Sequence, residues 1–212
     1  MNRRLTSAEQ RRLERFQKTA ADLQARGYRK TELIIDIVRA NIYVMIAAVP
    51  VFAVILILFF VLNRWRLPHF SISGFLLIFL LLCVVFFVLA AVHELIHGLV
   101  WGLFAEHHFK DIEFGFMQEY MTPYCACSVP LTKWKYVIGG VAPLLLLGIL
   151  PAALGIAYGS LFTSLTGGLM ILAAGGDVLI VARLIRYKAG GCEVVIFDHP
   201  IEPGSVVFER SR

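Results

Sequence analysis

The chain has 212 residues, 58% of them hydrophobic and only 17% charged, with a net charge of +5. A soluble domain is typically about half apolar and about a quarter charged, so this composition argues against an ordinary water-soluble enzyme and for a membrane protein. The basic residues crowd ahead of the first apolar run, where they read as a topology signal and an attraction to anionic lipid; with no aromatic-interleaved basic module following, nucleic acid is not an expected partner.

Residues 4 to 26 read as a cytosolic or interfacial amphipathic helix, capped by Thr6 or Ser7 with Glu9 or Gln10 following, and ended by Gly27. The charged first 40 residues carry no cleavable signal peptide. Ile42 to Leu62 is a run of 21 residues without a charge. At about 1.5 Å per residue it can cross a hydrocarbon core of about 30 Å, with Pro50 as a kink. A short loop from Asn63 to His69 places Trp65 at the interface, and His69 is given no role. Gly74 to Ala105 is 32 residues long with Glu94 as its one formal charge. Such a helix, about 48 Å in length, must tilt or project beyond the bilayer, and Trp101 marks its approach to the interface.

Lys110 to Phe116 alternates polar and apolar residues, and Gln118 to Val129 can return as a second strand. A hairpin there would offer an edge to which an extended substrate could add. Tyr136 to Gly176 holds 41 uncharged residues, too many for one span; Gly155, Gly159 and Ser160 divide it into helices near 136–157 and 164–187. Arg183, Arg186 and Lys188 close the last span, which puts both termini in the cytoplasm. The tail carries a strand-like Val194 to Phe197, then Asp198-His199-Pro200, a pair that could cap or line a site but more often serves a local turn. The four cysteines show no disulfide framework, and Cys125-x-Cys127 lacks the spacing of a metal or redox pair.

The chemistry concentrates at His93-Glu94-Leu95-Ile96-His97. On a helix, positions i and i+4 share a face, so His93 and His97 can hold one Zn²⁺ with Glu94 beside its open position as general base. Ionisable groups at membrane depth are costly unless they serve a purpose. Two histidines need a third ligand. Metzincin spacing would require a histidine at position 103, where Leu103 stands, and His107 and His108 lie about 15 Å further along a continuous helix. Asp177 is favoured: it is the sole acidic residue of its span, it follows Gly175-Gly176, and it sits about 16 Å from the cytoplasmic end against about 14 Å for His97. Pairing of Asp177 with Arg183 or with a backbone donor is the structural alternative.

These residues, with Gly139-Gly140-Val141-Ala142-Pro143 and Gly176-Asp177, resemble site-2-protease-type intramembrane metalloproteases. Together with Pro123-Tyr124-Cys125 and the terminal Asp198-His199-Pro200, they are more closely similar to a bacterial zincin peptidase family of unassigned function, over roughly residues 27 to 208. The resemblance implies zinc on His93, His97 and Asp177, Glu94 as general base and acid, and peptide bonds of membrane proteins as substrate. Site-2 proteases commonly carry an Asn soon after the glycine-rich helix start, whereas this chain reads Leu144 to Leu147, so the oxyanion donor is unassigned.

The expected fold is an all-α polytopic membrane protein of about four transmembrane helices, with a short β-hairpin between the second and third and a small cytosolic tail. It divides into a basic N-terminal segment (1–40), a membrane-embedded zinc metallopeptidase domain (41–188) and a cytosolic tail (189–212), set in a bacterial cytoplasmic membrane. The rival reading is a zinc-binding assembly or sensor protein without turnover.

Overall fold

The structure is a computed structural model and describes residues 6–64, 71–117, 122–190 and 193–210. The expectations for Trp65 and His69, for the Gln118 to Met121 start of the second strand, and for Cys192 lie outside the described residues. The chain divides into two compact units. One comprises Met1–Ile37, His97–Gly140 and Leu179–Arg212, the other Val38–Ile96 and Val141–Val178.

The first unit opens with α1 (Ser7–Ala25). Thr6 accepts the Glu9 amide at 3.3 Å while the Glu9 carboxylate accepts the Thr6 amide at 2.8 Å, a reciprocal cap that stabilises a helix start by about 1 kcal/mol. Arg26 is the C-cap, and Gly27 turns the chain away at φ +85°, a conformation that favours glycine. The apolar stripe of α1, Phe16, Ala20 and Leu23, is buried with Phe197, Val206 and Phe208. That stripe is therefore spent on packing within the protein.

Six strands follow: β1 (Arg29–Ile34), β2 (Ile112–Met117), β3 (Thr122–Cys127), β4 (Leu131–Thr132), β5 (Glu193–Asp198) and β6 (Gly204–Arg210). The expected hairpin is present as the antiparallel pair β2–β3, with Phe114 opposite Cys125. The all-α expectation needs correction, because the other strands form an antiparallel sheet in the order β1-β6-β5-β4. Val206, Val207 and Phe208 of β6 are fully buried in it. Each such side chain gains roughly 1.5–3 kcal/mol by leaving water, which outweighs the weak strand signal of the charged β1 sequence.

The turn from β5 to β6 is built on His199, whose Nδ1 accepts the amides of Ile201 and Glu202 at 3.3 and 2.7 Å. Only an unprotonated Nδ1 can do so. Burial, ahead of the neighbouring charges, holds the imidazole below its ordinary range. In the unfolded chain it titrates near ~6.5, so below that pH the unfolded state takes up a proton that the folded turn refuses. Its contribution to stability is present above that pH and is lost as pH falls through the folded value. Thermal melts of the purified protein from pH 7 to pH 5 are expected to show falling stability, flattened by His199→Gln; identical pH dependence in the two proteins would refute the assignment.

The second unit holds most of α2 (Ile37–Leu62) and the first part of α3 (Ile72–Phe104). The later helices are α4 (Lys133–Pro143), a π-helical segment (Leu144–Ile149), α5 (Leu150–Tyr158), α6 (Leu161–Ala173) and α7 (Gly175–Arg186). Gly159 makes the tight turn at φ +72°, and Ser160 caps α6 through the Thr163 amide. Among the described residues three helices, Ile37–Leu62, Ile72–Phe104 and the continuous run Lys133–Tyr158, are long and apolar enough to cross a membrane. The fourth expected span, 164–187, is not one straight helix. It breaks at Ala174 into α6 and α7, bent by 49°, and the pair passes as one span only when taken together. Two consecutive glycines, the weakest helix formers after proline, account for the break.

Candidate metal centre

The apolar, unbroken sequence around the His93 motif keeps α3 helical through Phe104, so His93 and His97 stand one turn apart on one face. Both are buried, at 5% and 3% exposure. Asp177 lies in the first turn of α7, directly after the glycine pair. The His93 Nε2–H donates to Asp177 Oδ2 at 2.9 Å. His97, on the next turn of the same helix, completes a group with them: one ligand atom from each of the three residues lies within 4.8 Å of the others. Two imidazoles and a carboxylate are a donor set that suits zinc. A proton is one cation that satisfies the His93–Asp177 pair, and a metal ion drawn to the same donors is another. The group could hold a metal ion.

The ring of His97 is aimed by its other nitrogen. A carbonyl can only accept, so the 2.9 Å contact from Nδ1 to the Gly139 oxygen requires the proton on Nδ1, which leaves the Nε2 lone pair for a ligand. That acceptor was not foreseen, although the Gly139-Gly140 pair was noted. Trp101 needs correction outright. It does not mark an interface: it is 4% exposed and stacked on His97, with ring centroids 4.9 Å apart and planes 15° apart. Its spacing of four from His97 was the available signal.

Glu94 is half-buried, one residue beyond His93 on α3. The discarded candidates are engaged elsewhere: the His107 imidazole Nδ1 lies 3.3 Å from the Asp111 carboxylate, and His108 Nδ1 meets the Gly102 carbonyl at 3.3 Å. Arg183, the alternative partner of Asp177, donates to the Ile34 carbonyl. Cys127 is buried, and burial pushes its thiol up to about 12, far from the thiolate that metal binding or exchange would need. Among the described residues, His93, His97 and Asp177 are the one group of at least three such side chains close enough to share an ion.

A family model described as "putative zincin peptidase" matches residues 86–192, a stretch that includes the His93 motif, the hairpin and Asp177. No curated protein and no solved structure matches the chain.

Proposed function

The chain belongs to that zincin peptidase family, and from this premise we propose that it is a membrane-embedded zinc metallopeptidase that hydrolyses peptide bonds in or beside the transmembrane segments of other proteins. The observation that carries the proposal is the meeting of His93, His97 and Asp177 in a chain whose helices are long and apolar enough to span a bilayer. Peptidase membership implies a protein substrate.

In this reading His93, His97 and Asp177 hold the ion. When bound, zinc supplies Lewis-acid activation of water and polarisation of the scissile carbonyl. Glu94 takes the proton from the attacking water onto its carboxylate and returns it to the leaving amine. Gly139, through its carbonyl, fixes the His97 tautomer. The substrate must be unwound at the cut, because a helical amide keeps its carbonyl bonded to the turn above. The hairpin supports that requirement: β2 and β3 form a two-stranded sheet of their own, and an extended segment can pair with an open edge.

Metal analysis is the direct test. The protein purified in detergent is expected to contain one zinc per chain. A chelator should remove it together with cleavage of a membrane-protein substrate, and added Zn²⁺ should restore both. Undiminished cleavage by metal-free protein would refute the proposal.

A further inference from the structure

Asp198 is left over by the chemistry just described. It ends β5, and its carboxylate accepts two hydrogen bonds: from the Tyr136 hydroxyl at 2.5 Å and from the Cys127 amide at 2.8 Å. It does not serve the adjoining turn, whose amides go to His199. The Tyr136 ring, 2% exposed, is stacked with the Trp101 indole at 5.3 Å and 28°. The indole N–H donates to the Tyr136 carbonyl at 3.1 Å. That same indole is the one stacked on His97. The contacts from carboxylate to imidazole are unbroken, and all four residues belong to one compact unit.

A histidine on a helix has two side-chain torsions to fix before its ring points one way. The bond to the Gly139 carbonyl fixes one atom of the His97 ring, and a flat aromatic face fixes its plane. Gly139 is part of the fit in a second way. A Cβ there would stand 2.0 Å from the Trp101 indole nitrogen, so any larger residue would displace the indole. The indole in turn is held by Tyr136, and the Tyr136 hydroxyl is anchored on Asp198.

We infer that Asp198, Tyr136 and Trp101 are positioning residues for His97, so that the sheet formed by the C-terminal strands sets the imidazole that faces the metal. The inference rests on the metal-site reading above. Outer groups that orient a metal-binding histidine typically change metal affinity by about 10–100-fold when removed.

The test measures Zn²⁺ affinity by chelator competition, and the visible spectrum after Co²⁺ substitution, in the full-length detergent-solubilised protein. Tyr136→Phe keeps the ring and deletes the hydroxyl; Asp198→Ala deletes the anchor; Trp101→Leu deletes the flat face. Affinity is expected to fall about tenfold for the first two and towards a hundredfold for the third, with the Co²⁺ bands shifting in the same order. Asp198→Asn, which can still accept from Tyr136, and Trp101→Phe, which restores a ring, should recover much of the loss. Glu193→Gln breaks an ion pair at the far end of β5 and should change neither readout. Wild-type affinity and spectrum in Tyr136→Phe and Asp198→Ala would overturn the inference and leave the metal site standing, as would an equal loss in Glu193→Gln. These two variants decide the matter if Trp101→Leu does not fold. A wild-type protein that takes up neither Zn²⁺ nor Co²⁺ overturns the metal site itself, and this inference with it.

Discussion

Glu94→Gln is expected to keep its zinc and lose hydrolysis by about a thousandfold or more, the range in which a positioned general base and acid contributes. The substitution conserves shape and leaves both histidines of α3 in place, but an amide cannot take a proton from water at neutral pH. Elemental analysis should find the same metal content as in the wild type, and cells carrying only the variant should accumulate uncleaved membrane proteins. The trapped substrate should crosslink to residues 112–128 of the hairpin. The same protein separates the peptidase from a zinc-binding assembly or sensor protein, for which Glu94→Gln would be silent. Persistent turnover by the variant would end the assignment of Glu94.

Asp177→Ala is expected to lower zinc affinity by on the order of a hundredfold or more, since removing a ligand should cost at least as much as removing a group that only orients one. The carboxylate is the one anionic donor of the group, and it faces His93 Nε2 at 2.9 Å. Two neutral imidazoles alone leave a divalent charge uncompensated among apolar helices. The purified variant should come out of detergent largely metal-free with an unchanged helical circular-dichroism spectrum. Full zinc occupancy would remove Asp177 from the ligand set.

His93, His97 and Asp177, which come together at the candidate centre, were legible because charge is rare in the stretches that carry them. Glu94 is the one formal charge among 32 residues, and Asp177 is the first charge after a run of 41 without one. The hairpin was legible from its alternation. The four-stranded sheet was not, for two physical reasons. Its first strand reads Arg29-Lys30-Thr31-Glu32-Leu33-Ile34, with charges where a strand signal expects β-branched or aromatic residues, and it pairs with a distant segment that no local pattern announces. Trp101 was misread because a tryptophan near the end of an apolar helix is ordinarily an interfacial anchor; here the indole is buried with Tyr136, Leu184 and Ile196, in room that a Cβ on Gly139 would take. The Gly175-Gly176 pair was read for close helix approach, and it also breaks the helix. Either property follows from the missing side chain, and only tertiary structure decides which is used.

The register of that sheet has a consequence for how the protein is made. Ile34 of β1 pairs with Gly204 of β6, so at a typical 5–20 residues per second about 170 residues must be synthesised, on the order of 10–30 s, before β1 meets its partner. Until then β1 lacks its one strand partner in that sheet, and Tyr136 lacks the carboxylate of Asp198. A nascent chain that already contains His93, Glu94 and His97 thus lacks the C-terminal strands that complete the surroundings of His97. On the proposed reading, the imidazole of His97 therefore gains its full support only when translation is nearly finished.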